Sequence, residues 1–410
     1  MKKLLLVLLI LSLFINHLNA NEKDLQIIQK DKKEYRLLDK ESIQTRQQSQ
    51  KYDWISPIDL SGNIGRNHSF SDENSRNLNN KNTKSASIGF TQSIFESGGI
   101  GFKMDYADNR FKYEMLSWEN QNSQLIYTIY NTLLDIKKLK LEINQNDYRI
   151  VNKDIELIIK KIQYEAGKTD IIELNNAIMS KNLILKEEIA LKNSLKEKEQ
   201  ELAKYTDLKY DEIEILDFQE TNKEIFLDKN YSILEADAKV EMLNSEYKIK
   251  KSQYLPKLSL SAKASYSNQD EKFNSMINDT NKDDATSSGS LILSMPLYDY
   301  TKSSKVQESK IEVLKQKALV NDLKNETAFE YEQIFTKIDT YSKQNETINK
   351  NIKLYEELIG ANKISSEAGM TSKYDLEILE NTKTINEFDI LINKINILQQ
   401  YAKLYFKIKN

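Results

Sequence analysis

Two periods of apolar residues run through this chain. Ile129, Ile136, Ile143, Ile150 and Leu157 recur every seven residues, and Leu134, Leu141, Tyr148, Ile155 and Ile162 form a second series with the same spacing. Seven is the period of helices packed side by side. The two series are five residues apart, about 150° around a helix of roughly 3.5 residues per turn. Such a helix carries an apolar stripe on each of two sides. A wall of neighbouring helices requires this, and a core helix sandwiched in a bundle shows it too; both geometries remain open at this point. Strict alternation marks other stretches. Leu258, Leu260, Ala262, Ala264 and Tyr266 alternate with Ser259, Ser261, Lys263 and Ser265, the period of a strand with two different faces. Leu291, Leu293, Met295 and Leu297 form one face of its partner, and 58–67 and 85–95 form a second pair in which Ile88, Phe90 and Ile94 share a face. The segments 67–84 and 267–286 are rich in Asn, Asp and Ser and read as loops. Pro57, Pro256 and Pro296 fall at strand ends, where a missing N–H is tolerated.

The elements occur twice. Glu165-Ala166-Gly167-Lys168-Thr169 returns as Glu367-Ala368-Gly369-Met370-Thr371, an offset of 202. The same offset carries the first heptad series onto Tyr331, Ile338, Asn345, Ile352 and Ile359. Pro57 and Pro256 are 199 apart, and Phe95-Glu96 and Tyr298-Asp299 are 203 apart. A nearly constant offset through helix, turn and strand pair signals internal duplication. Each copy reads as a modest helix (23–50, 231–253), a strand pair, a long helix (99–165, 301–367) and a shorter returning helix (171–204, 373–408). The expected organisation is a signal peptide at 1–20, a first repeat at 21–204 with strand pair 57–96 and helical hairpin 99–204, a connector at 205–230, and a second repeat at 231–410 with strand pair 256–298 and hairpin 301–409. With only 10 Gly and 3 Pro in 410 residues, little interrupts the long helices. About 65 residues at roughly 1.5 Å each give a rod near 100 Å. Gly167 and Gly369 suit helix C-terminal stops; Thr169 or Asp170, and Thr371 or Ser372, suit the caps of the returning helices.

Composition narrows the chemistry. Met1-Lys2-Lys3 followed by an apolar run from Leu4 to Ile15 is a secretory leader, with Ala20 the expected cleavage position and an uncleaved anchor the alternative. Its removal leaves 57 basic residues against 62 acidic, which argues against nucleic acid as a partner. No later stretch approaches 18 apolar residues, so helices are not expected to cross a bilayer. The absence of Cys removes thiol chemistry and Cys-based zinc sites, and once the leader is gone His68 is the remaining histidine, a poor start for a catalytic triad or metal site. No cofactor is expected, and an enzyme has little support.

Four strands of about ten residues have the length that crosses a bilayer when tilted, yet unpaired strand edges are prohibitively costly in lipid and four strands cannot close. Several copies must then pool strands. Tyr52, Trp54, Tyr254, Tyr298 and Tyr300 flank the strands as an interfacial belt would; a small soluble core is the other use for them. The chain resembles the TolC-like outer-membrane efflux proteins along nearly all of its mature length. The matching pieces are Tyr254-Leu255-Pro256-Lys257-Leu258-Ser259-Leu260, the run from Thr91 to Gly99, Ser294-Met295-Pro296-Leu297-Tyr298-Asp299, and Tyr164-Glu165-Ala166-Gly167 followed by Asn175-Asn176-Ala177. Departures are a short first helix without the usual Ala-rich pattern, and Gly98-Gly99 without a counterpart at Tyr300-Thr301.

The resemblance implies a mainly α fold with a small β part. It implies a homotrimer in which an α-helical periplasmic barrel joins a 12-stranded transmembrane β-barrel set in outer-membrane lipid. It further implies passive export, with a periplasmic adaptor and an inner-membrane transporter as partners in a tripartite efflux or type I secretion system. It places the pore constriction among acidic residues just past the tip glycines: Glu173 and Asp375, six residues after each Gly, with Asp170 and Glu377 as neighbours. Threefold symmetry would turn one carboxylate into a ring that attracts cations. The tip turns, with Gly167, Lys168, Thr169, Gly369, Met370 and Thr371, are the expected adaptor contact. The alternative from another class is a soluble periplasmic coiled-coil scaffold.

Overall fold

A computed structural model of the chain describes residues 25–69, 79–216, 218, 220–270, 282–367 and 372–409; the expected leader at 1–20 lies outside the described residues. Helices form where the heptads and the scarcity of breakers allow them. They are α1 (Lys30–Tyr52), α2 (Gly99–Glu165), α3 (Ile171–Ala203), α4 (Lys223–Asp228), α5 (Tyr231–Ser252), α6 (Lys302–Glu367) and α7 (Lys373–Phe406). The longest, α2 and α6, run 67 and 66 residues without a proline. The strands are β1 (Asp59–Ser69), β2 (Asn79–Phe95), β3 (Lys257–Asp270) and β4 (Lys282–Ser294). The order helix, strand, strand, long helix, shorter helix therefore occurs twice, with α4 an extra turn inside the connector.

The chain divides into two compact units, each drawn from several stretches of the chain. One comprises residues up to 40, 116–234 and 321–410. Here α2 has neighbours on two sides, as its two heptad series require. Toward α3 it makes ion pairs Asp154–Lys181 (2.5 Å) and Arg149–Glu187 (3.4 Å). Toward α7, the Gln145 amide donates to the Ile385 carbonyl (2.9 Å) and to Asp389 (2.7 Å), and the Asn381 amide donates to Asn152 (2.9 Å). α7 in turn meets α6, through Lys383–Glu356 (2.9 Å) and through the Asn393 amide donating to Asn345 (3.0 Å). Asn345 is the one polar member of the first heptad series as it recurs in the second repeat, and this bond gives it a partner at an otherwise apolar position. Ile129, Leu134 and Ile136 are fully buried, while Tyr148 and Ile162 stand exposed.

The connector is held by packing. Asn222 caps α4 by accepting from the Ile225 N–H (2.8 Å), and Phe226 on that turn is fully buried against Ile334, Ile338, Leu404 and Ile408. The chain end closes over it: Asn230 and Ile408 form an antiparallel bridge, and the Lys409 N–H donates to the Lys229 carbonyl (2.8 Å).

The other unit comprises residues 41–115 and 235–320 and contains the sheet. Its strands pair antiparallel in the order β1-β2-β3-β4, so the two expected strand pairs join edge to edge along β2 and β3. Two sequence expectations are corrected. Much of 79–84, 267–270 and 282–286, read as loop, is strand. Ladder bonds satisfy that backbone whatever the side chains are, so an apolar alternation is not needed there. The bulge between Ser93 and Phe95 makes Ile94 the extra residue, and Phe95 rather than Ile94 pairs with Leu258. The turn into α2 explains two glycines. Gly98 has φ +89°, and a Cβ on Gly99 would lie 2.8 Å from the Ser252 hydroxyl. Ser97 beside them donates to the Pro256 carbonyl (2.7 Å).

Candidate functional site

The ladder register assigns every strand residue to one of two faces. Rows such as Leu60–Ile88–Ala264 and Phe90–Ala262–Gly289 lie on one face, continued by Leu258, Leu260, Leu291 and Leu293. This face is bare. Leu60 is 80% exposed, Leu291 67% and Leu293 74%. Apolar surface left in water forgoes about 25 cal/mol per Å², so a contiguous bare patch marks an interaction surface for protein or lipid. Along β3 the apolar run extends from Leu258 to Tyr266, long enough to cross a bilayer when tilted. Beyond it this face turns polar at Lys84, Asn268 and Arg66.

The opposite face is hydroxylated. Ser61, Ser87, Ser265 and Thr286 form one row across all four strands. Within it the hydroxyls of Ser61 and Ser87 are 2.8 Å apart and those of Ser265 and Thr286 2.7 Å apart. Thr91–Ser261 (3.0 Å) and Ser93–Ser259 (3.3 Å) continue the pattern. β1 and β4 each have one ladder partner among the described residues, so both outer edges are open.

Where the sheet meets the helices, Glu96 is nearly buried and bonded to Lys103 (2.9 Å). Burial alone would push its carboxyl up, but hydrogen bonds from Lys103 and Ser93 and the lysine's charge hold it below the usual carboxylate range. In the helical unit Glu330 is treated alike: burial is outweighed by Lys403 (2.7 Å) and Lys407 (2.6 Å), and its carboxyl also sits low.

The first tip turn has the expected geometry. The Gly167 N–H donates to the Tyr164 carbonyl (2.9 Å) and the Lys168 N–H to that of Gln163 (2.8 Å), nested bonds that end α2 with Gly167 at φ +68°. Asp170, not Thr169, caps α3, accepting from the Glu173 N–H (2.9 Å). The Glu173 carboxylate pairs with Lys160 (3.0 Å) on the surface. Sequence reading missed that lysine, yet a signal existed: residues 160 and 173 lie almost symmetrically about Gly167, and so face each other across an antiparallel hairpin. At the second tip Ser372 caps α7, accepting from the Tyr374 N–H (3.2 Å), and Asp375 and Glu377 are exposed in its first turns. Gly369, Met370 and Thr371 lie outside the described residues. Asp170 and Glu173 are thus brought together by a cap; Asp375 and Glu377 are placed on a separate helix start. Among the described residues no cluster of His, Asp and Glu could hold a metal ion, and no helix is long and apolar enough to cross a membrane.

Comparison with known proteins shows what this arrangement is similar to. Residues 224–403 match the model of the outer membrane efflux proteins. The outer membrane protein VceC of Vibrio cholerae shares the fold at a TM-score of 0.71 and 12% identity, over 93% of this chain and 94% of that one. The CmeC outer membrane channel of Campylobacter jejuni matches at 0.70 and 13%, covering 92% of this chain and 84% of its own. The open-state MtrE outer membrane channel of Neisseria gonorrhoeae matches at 0.68 and 12%, over 94% and 87%. A sequence comparison with curated proteins finds no match. The fold is that of outer membrane channels, mainly helical with a small sheet. The match to the outer membrane efflux proteins covers residues 224–403, and the likeness of fold to the solved channels extends over nearly the whole chain.

Proposed function

We propose that this chain is one protomer of a trimeric outer-membrane channel whose three sheets close into a 12-stranded barrel. The observation that carries the reading is the sheet itself: four strands, two open edges, a bare apolar face and a hydroxylated one. Lipid takes the apolar face, water in the lumen takes the hydroxyls, and neighbouring copies take the edges. The long helices then line a periplasmic conduit. At its far end, the tip turns around Gly167 and Gly369 meet a periplasmic adaptor, and an inner-membrane transporter supplies the energy for efflux or secretion. The duplicated organisation fits this plan, each repeat giving a strand pair and a helical hairpin.

Asp375 is the stronger candidate for a constricting ring. Glu173 is partly neutralised by Lys160, whereas the residue at the 202-residue offset from Lys160 is Asn362. Three copies of Asp375 would repel one another and attract cations.

The soluble-scaffold reading must leave Leu60, Leu291 and Leu293 in water, and is disfavoured for that reason. The deciding experiment extracts the mature protein from membranes, measures the complex mass in detergent and records single channels. Three protomers with a steady conductance are expected; a water-soluble monomer would refute the channel.

A further inference from the structure

One groove on the hydroxylated face carries opposite charges. It has a volume of 440 Å³ and is lined by Asp59, Ser61, Ser87, Gly89, Ser261 and Lys263, among others. The register puts Asp59, Gly89 and Lys263 in a single row, with the acid on β1, the lysine on β3 and the glycine between them on β2. Neighbouring strands are about 4.8 Å apart, so the Cα atoms of Asp59 and Lys263 are separated by about 10 Å. Gly89 presents no side chain, so the space between the charges stays open. It has a second reason to be glycine: a Cβ there would lie 3.0 Å from the Ala262 carbonyl oxygen. The rows on either side supply uncharged hydroxyls, paired as Ser61–Ser87 (2.8 Å) and Thr91–Ser261 (3.0 Å).

An acid and an ammonium two strands apart, over a floor without side chains and between walls of hydroxyls, match a small molecule with a cation at one end and an anion at the other. We propose that the Asp59–Gly89–Lys263 row is a contact site for zwitterionic cargo such as a short peptide. Asp59 meets the ammonium end, Lys263 meets the carboxylate end, and the hydroxyls bond the polar middle. The inference rests on the channel reading, because it needs the hydroxylated face to line the lumen. In a trimer the three rows would set acid and base alternately around the pore, a pattern that favours neither ion sign and is distinct from an all-acidic ring at the tip.

The test records single channels of the full-length protein in planar bilayers in KCl, with diglycine added. Diglycine is expected to reduce the wild-type current in a concentration-dependent way. Methylamine or acetate, each carrying one of the two charges, should do so at least tenfold less effectively. Asp59→Asn and Lys263→Gln should each raise the half-blocking concentration of diglycine at least tenfold while leaving an open pore in KCl alone. The reversed pair, Asp59→Lys with Lys263→Asp, should regain the block. Equal block in wild type and both single variants would overturn the site while leaving the channel standing. Absence of any conductance in wild type would instead refute the channel reading, and this site with it.

Discussion

At the scale of single residues, the acidic side chains divide by the company they keep. Asp170 is occupied as a cap and Glu173 by Lys160, while Asp375 starts a helix whose hairpin partner α6 carries Asn362 where the first repeat carries lysine. Asp375→Ala should therefore raise leak conductance or weaken cation preference in planar bilayers, and Glu173→Ala should do less; identical currents in wild type and Asp375→Ala would remove Asp375 from the constriction. Glu330 does different work. Its carboxyl, held low by Lys403 and Lys407, contributes stability that is fully present above the ordinary carboxylate pKa. That contribution declines as the pH falls and is gone below the depressed folded value. Glu330→Gln should lower the thermal midpoint at pH 7, and the gap from wild type should narrow progressively as the pH is lowered below the ordinary carboxylate range. A gap that is constant with pH would show that the ion pair contributes nothing. None of these partners is visible in composition. Lys160 could have been found by folding the sequence about Gly167, and Asp154–Lys181 and Arg149–Glu187 obey the same mirror rule. The Glu330 cluster spans 77 residues to Lys407 and follows no local spacing.

At the scale of elements, periodicity did most of the work where one face of an element differs from the other. The long helices and the core of β3 were legible because apolar residues had to recur at seven or at two, and the first tip turn because Gly167 marked it. The ends of β2, β3 and β4 were not, since Asn-, Ser-, Thr- and Asp-rich segments carry no apolar alternation. The union of the strand pairs through β2 and β3 was also hidden, because ladder bonding between distant segments leaves no mark on side-chain type. The two faces of the sheet invite a paired experiment. Ile88→Lys places a charge on the apolar face and should cost about 2–4 kcal/mol in a bilayer, reducing recovery of assembled protein from membranes. Ser87→Lys, one residue away on the hydroxylated face, should assemble and alter conductance instead. Equal recovery of the two variants would show that the faces are misassigned.

At the scale of the molecule, the compact units cut across the two repeats. Each repeat contributes strands to the sheet and helices to the other unit, so neither repeat owns a complete core. The connector and the chain end close the helical unit around Phe226. Truncating that side chain, Phe226→Ala, should destabilise by about 3–5 kcal/mol, read as a lower thermal midpoint of the extracted protein. A change under about 1 kcal/mol would mean that the cluster collapses around the void.

The open edges of β1 and β4 bear on how such a protein reaches its final state. If sister chains take those edges as proposed, then before one arrives two rows of backbone donors and acceptors offer themselves to any extended peptide nearby, alongside a greasy sheet surface. On the proposed trimer, closing the barrel would be a collision between molecules, and its speed would climb with their concentration. A cell making too little would hold sticky, half-finished intermediates for longer, and would need something to shield them in the meantime.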